Sequence, residues 1–235
     1  MKIKPANKNS MLYWYPKIKD LDINLPKTRF LELKDLDGNS GYKGCPRDWS
    51  KSKIEDIAEE LGLPLFMRTD MASNKHYMDS SSFINDLNTI NDHIINLLLF
   101  NDMAGLLGLP YKTLVFREWL DLDYKFKAFE GTPIAKELRF FIRSGEVECF
   151  HFYWPEEAIQ FFGDTKEPDN WEELLYITKK EAILNSKEAV IMAHKVARKF
   201  EGYWSVDFAQ DKNGDWYMID MALGDQSWHP ECKLK

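Results

Sequence analysis

Apolar side chains recur at helical spacing in three stretches of the chain. Between residues 52 and 61 they fall at Ile54, Ile57, Ala58 and Leu61, one side of a helix, with Gly62 placed as its stop. Residues 82 to 107 continue the pattern with Phe83, Leu87, Ile90, Ile94, Leu97 and Leu98, which predicts a second helix burying one face. The period returns between Trp171 and Phe200, most clearly at Ala189, Met192, Ala193, Val196, Ala197 and Phe200, and Gly202 closes the segment. Strand-like runs occupy 64–68, 113–120, 134–143 and 147–153. The first fifty residues mix short aromatic and aliphatic pieces (LYWYPKI, TRFLEL) with Pro and Gly, as in DGNSGYKGCP, and read as strands and turns without a long helix.

The most specific local pattern is WSVDFAQDKNGDWYMIDMA, because Asn213-Gly214 between two strand-like runs marks a two-residue hairpin turn. Counting back from that turn, Lys212 faces Asp215, Phe208 faces Ile219, Val206 faces Met221, and Asp207 faces Asp220. Alternation then puts both acids on a face with Ser205, Ala209, Met218 and Ala222, looking into open space, while Val206, Phe208, Ile219 and Met221 turn to the core. Carboxylates on directly paired residues, with Cβ atoms about 5 Å apart, repel one another unless a proton or a cation lies between them. A divalent metal meets that need, and Mg²⁺ suits an all-oxygen set lacking His or Cys. The alternative is a hairpin whose acids are solvated.

In KELRFFIRSGEV, alternation puts Glu137, Arg139 and Arg143 on one strand face and Leu138, Phe140 and Ile142 on the other. A fixed guanidinium suits a phosphate, although Arg139 paired with Glu137 or another acid fits the pattern equally. Arg68 ends a strand, and Lys75 follows seven residues on in RTDMASNKHY, so both cations could reach one polyanion. Neither a P-loop nor a dinucleotide fingerprint is present. His76, His93, His151, His194 and His229 show no metal spacing and no Ser or Cys partner, and read as structural or solvated.

Composition narrows the class. With 235 residues, 44% hydrophobic and 29% charged, the chain is an ordinary globular protein long enough for two lobes around a cleft. A net charge of −7 argues against duplex nucleic acid as a partner. Cys45, Cys149 and Cys232 lack CxxC spacing and read as isolated reduced thiols. No signal peptide is visible, and the apolar run 94–100 is far too short to span a bilayer, so a cytoplasmic protein is expected without membrane partners.

The order of these parts, a basic strand end, a Lys-bearing loop, a hinge strand, an Arg strand, a long helix and an acid hairpin, resembles the ATP-grasp superfamily. The closer likeness is to its divergent clade that includes the eukaryotic assembly chaperone of translation initiation factor two and bacterial and phage proteins. It runs from about Phe66 to Asp225 and rests on RTDMASNKHY, LVFREWLDL, KELRFFI, and VDFA with YMIDMA. The resemblance implies an α+β ATP-grasp fold of two α/β lobes with the nucleotide cleft between antiparallel sheets. Its implied divisions are an N-terminal region over 1–53, an N-lobe over 54–119 and a C-lobe over 120–235.

ATP and Mg²⁺ are the implied ligands. Arg68 and Lys75 would contact phosphates, the backbone from Phe116 through Arg117 and Glu118 to Trp119 would meet adenine, and Arg139 would steady the γ-phosphate, Arg139 and Lys75 being the catalytic cations. Asp207 and Asp220 would hold the metal. Arg68 stands where many members carry Lys, and Ala222 stands where D-alanine:D-alanine ligase and glutathione synthetase relatives carry a metal-binding Asn, leaving Asp225 as a substitute ligand. The implied reaction joins a carboxylate to an amine through an acyl phosphate, on a peptide, protein or small amino-acid-like substrate. The implied alternative is a non-ligating ATP-binding assembly factor for a protein partner.

Overall fold

A computed structural model describes residues 7–33, 51–106, 111–162 and 167–230. The DGNSGYKGCP segment, Cys45 and Cys232 lie outside these residues. The described residues divide into two compact units, one from Met1–Leu25, Asp121–Phe129 and Pro133–Lys235, the other from Pro26–Leu120 and Glu130–Thr132. Of the leading segment expected over 1–53, the described residues 7–25 fall in the first unit and 26–33 and 51–53 in the second. No helix among the described residues is long and apolar enough to cross a membrane.

The second unit is built on a four-stranded antiparallel sheet from β1 (Thr28–Glu32), β2 (Leu65–Thr69), β3 (Phe83–Ile84) and β4 (Thr113–Glu118), ordered β1-β4-β2-β3. One face carries Leu31, Leu65, Met67, Leu114 and Phe116, which pack with Ile54 and Ala58 of α2 (Lys51–Leu61) and Ile90, Ile94 and Leu97 of α4 (Ile90–Leu106). Each such side chain contributes about 1.5–3 kcal/mol when fully buried. The helix expected over 82–107 starts later. Phe83 and Ile84 instead pair with β2, and Asp86 caps a short 3₁₀ turn by accepting from Asn88 N, so only the segment from Ile90 keeps the helical period. A four-residue helix, α3 (Met78–Ser81), precedes it.

The first unit carries a second antiparallel sheet of β7 (Glu137–Arg143), β8 (Glu146–Phe152), β9 (Tyr203–Gln210) and β10 (Trp216–Leu223), ordered β10-β9-β7-β8. Leu138, Phe140, Val206, Phe208, Trp216 and Met218 are buried on one face, which packs against α6 (Trp171–Leu184) and α7 (Lys187–Ala197). The stretch expected as one long helix is thus two, broken at Asn185 and Ser186. The strand expected over 134–143 is likewise split at Lys136 into β6 (Thr132–Ala135) and β7. β6 pairs with β5 (Tyr124–Ala128), and neither β5 nor α5 (Glu156–Phe162) was marked by periodicity.

LYWYPKI is the clearest correction. It forms α1 (Met11–Ile18), because Ser10 in an extended conformation accepts from Leu12 N at 3.2 Å and Met11, Trp14 and Ile18 fall on one buried side. Pro16 sits inside it at the loss of one helical hydrogen bond. The aromatic content suggested a strand, but the three-and-four spacing of the buried residues decided the outcome.

Candidate functional site

The site begins with the hairpin. Asp207 is paired in register with Asp220, and Val206 with Met221, as expected. The route to that register differs. Asp211 N donates to Asp215 O at 2.9 Å, which makes a three-residue loop, with Gly214 at φ 93°. The Asp211 carboxylate fixes the loop by accepting from Asn213 N and Asp215 N, both at 2.9 Å. The longer loop shifts the pairing by one, so Phe208 faces Met218 rather than Ile219, and a bulge between Met218 and Asp220 shifts it back. Met218 consequently belongs to the core, fully buried, and not beside the acids.

β7 lies on the other side of β9 with Arg139 opposite Asp207. The guanidinium holds both carboxylate oxygens, Nε to Oδ1 and Nη2 to Oδ2, each at 2.8 Å. Asp207 is only 4% exposed, so it does not look into open space; its cation in this structure is Arg139. Arg139 also lies over the Tyr153 ring, 4.5 Å from its centroid, and Nη1 reaches the Trp228 carbonyl at 3.5 Å. Burial by itself would lower the Arg139 pKa, but the Asp207 charge and hydrogen bonds outweigh it and raise the value. The Asp220 carboxylate, partly exposed, accepts from Met221 N at 2.9 Å.

The same face continues through Phe141, Cys149 and Ser205, and there the segment after β10 lies over it. Ser227 Oγ meets Ser205 Oγ at 2.6 Å, and the His229 ring stacks on Phe141 with centroids 3.6 Å apart. His229 further bonds Tyr203 Oη at 2.8 Å and Cys149 Sγ at 3.3 Å, a cysteine partner that the sequence did not disclose. Gly224 opens this segment so close to Tyr203 that a Cβ there would fall 2.4 Å from a ring carbon. Gly224→Ala is therefore expected to destabilise the protein by about 1–3 kcal/mol, which urea unfolding would measure.

Asp225, which the resemblance offered as a substitute ligand, lies in the short turn after β10. It is exposed, and its charge is felt by Arg143 and Tyr203 at the end of the face away from Arg139. Among the described residues no three His, Cys, Asp or Glu side chains converge to hold a metal. Ala222 stands opposite Ser205.

In the second unit, the β2–β4 register sets Arg68 opposite Val115 and Arg117 opposite Phe66, so both arginines share the face away from the core. Each is 3% exposed. Arg68 Nε donates to Thr69 O at 3.1 Å and Arg117 Nε to Thr28 Oγ1 at 3.3 Å. Lys75 is half-buried in the turn closed by Tyr77 N on Asn74 O, and its own carbonyl accepts from Thr132 Oγ1. The Phe116 side chain is in the core, and β4 is paired on both sides, which consumes most of its backbone polar groups. Glu118 N donates to Lys27 O, and its carboxylate accepts from Lys27 N. Trp119, just past the strand, packs edge-on against Phe83.

Asp70, within RTDMASNKHY, was not singled out from the sequence. Its Oδ1 accepts from Lys112 N at 2.7 Å and Thr113 N at 3.0 Å, tying the loop base to the start of β4. Asp70→Ala is expected to cost about 1–3 kcal/mol, read as a lower unfolding midpoint in urea.

The chain, one of whose sheets sets an Arg strand beside an acid hairpin, has the ATP-grasp fold. A family model described as ATP-grasp domain, R2K clade family 3, matches residues 59–235, and the chain belongs to that family. Among solved structures, the C-terminally truncated Cdc123 from Schizosaccharomyces pombe is similar with a TM-score of 0.58 at 15% identity, covering 92% of this chain and 83% of that one. The structure of Cdc123 from the same organism gives 0.57 at 16% identity, with the same coverage. No curated protein matches the chain in sequence.

Proposed function

We propose that this chain is a Mg-ATP-dependent ligase that joins a carboxylate to an amine on a peptide, protein or small amino-acid-like substrate. The observation that carries the reading is the cross-strand set of Arg139, Asp207 and Asp220 on one sheet face of an ATP-grasp family member. In the reaction, a carboxylate oxygen attacks the γ-phosphorus of ATP and ADP leaves. The amine nitrogen then attacks the acyl carbon, phosphate leaves, and the amine gives up a proton. No side-chain nucleophile is needed, so the chain's work is positioning and charge compensation.

Asp207 and Asp220 fit Mg²⁺ in donor chemistry, two carboxylates with no nitrogen or sulfur, the remaining positions being left to water and phosphate. When bound, the ion would neutralise phosphate charge. Arg139 and Lys75 are the cations proposed to compensate the transferring phosphoryl group, and Arg68 and Arg117 are proposed phosphate contacts. Within the 116–119 segment, Trp119 is the proposed adenine contact, since strand pairing takes up most backbone polar groups of Phe116, Arg117 and Glu118.

Ala222 in the place of the third metal ligand favours a second reading, an ATP-binding assembly factor that does not ligate. Incubation with ATP, Mg²⁺ and pooled carboxylates and amines separates the two. ADP release that requires both co-substrates supports ligation. Saturable ATP binding without such turnover supports the assembly factor and sinks the ligase reading.

A further inference from the structure

We infer that Arg139 is the resting occupant of the metal site, so that the nucleotide-free protein excludes a lone divalent cation and metal and polyphosphate must enter together. The inference rests on the metal reading of Asp207 and Asp220 proposed above.

The geometry is specific. Arg139 is fixed by β7 directly across from Asp207, its Nε and Nη2 bonds to the two carboxylate oxygens are both 2.8 Å, and Nη1 is turned to the Trp228 carbonyl at 3.5 Å. All three guanidinium nitrogens thus have acceptors within the chain. Both partners are largely withdrawn from water, with side chains 14% and 6% exposed, so solvent screens the pair weakly. A divalent ion on Asp207 would have to share the carboxylate with an arginine that never loses its charge, and the two cations repel strongly at such separation.

A polyphosphate relieves both problems. It offers the planar guanidinium the oxygens that Asp207 now supplies, and it brings negative charge to offset the ion. In the resting protein each partner stands in for a ligand: the Asp207 carboxylate for phosphate on Arg139, and the Arg139 guanidinium for the cation on Asp207. Breaking the pair without replacing both would strand a buried charge, which disfavours either ligand arriving alone. Arg143 makes the contrast. It lies on the same face of β7 but is exposed and pairs with Glu148, so removing it takes away the same charge while leaving the Asp207 pair intact.

The test is Mn²⁺ binding to nucleotide-free full-length protein, followed by the paramagnetic resonance signal of free Mn²⁺. Arg139→Met is expected to bind Mn²⁺ at least about tenfold more tightly than wild type. Adding Asp220→Asn should remove the gain, and Arg143→Met should stay within about twofold of wild type. Arg139→Lys, which keeps the charge but can hold only one oxygen well, guards against misfolding of the methionine variant and should gain about threefold or more. Equal affinity in wild type and a folded Arg139 variant, or an equal gain in Arg143→Met, overturns the inference. ATP titration of the same proteins keeps the two claims apart. A gain in Mn²⁺ affinity without ATP binding leaves the inference and removes the function proposed above, whereas Mg-dependent ATP binding without the gain does the reverse.

Discussion

Replacing Arg139 by methionine is expected to cost the fold about 3–5 kcal/mol, because it leaves the Asp207 carboxylate buried without its cation. The Asp207 carboxylate accepts from Arg139 through both oxygens and is only 4% exposed, so water is a poor replacement for the lost cation. Against a total stability of about 5–15 kcal/mol for a typical domain, that is a large share. Urea unfolding should show a midpoint well below wild type. The double variant Arg139→Met with Asp207→Leu should recover most of the loss, since two apolar groups satisfy each other where one charge cannot. A single variant as stable as wild type would mean that the pair is far better hydrated than its burial indicates.

The sequence made the centre of this site legible and its surroundings much less so. Asp207 and Asp220 could be placed opposite one another because a period-2 pattern and an Asn-Gly turn constrain register, although two one-residue offsets, the longer loop and the bulge at Ile219, had to cancel for the count to succeed. Met218 shows the hazard, since it lies between those offsets and was assigned to the wrong face. The Arg139–Asp207 pair was out of reach for a different reason. Local patterns fix which face a residue takes within its own strand, but not which strand pairs with which, and β7 and β9 are separated by three helices. Asp70 and the His229 contacts with Cys149 and Tyr203 are also non-local. Helix α1 was missed where aromatic content pointed to a strand and only the burial period pointed to a helix, and α4 was drawn too long because Phe83 and Leu87 happen to continue its spacing.

The second large effect concerns ligand binding. If Asp207 and Asp220 hold the metal that carries nucleotide phosphates, neutralising either carboxylate removes a metal ligand at nearly constant shape. Asp207→Asn and Asp220→Asn should each weaken Mg-dependent ATP binding by tenfold or more, a loss of about 1.4 kcal/mol or greater. The two variants differ in what else they disturb. Asp207→Asn also leaves Arg139 with a neutral partner, so its unfolding midpoint should fall, whereas partly exposed Asp220 should tolerate the change better.

Calorimetric titration of ATP with Mg²⁺ into wild type, Asp207→Asn and Asp220→Asn is the most direct measurement of the central claim. The account predicts saturable binding to wild type that requires Mg²⁺ and weakens at least about tenfold in both folded variants. No binding to wild type, or binding that both variants retain, would contradict it and leave the acid hairpin as the structural partner of Arg139.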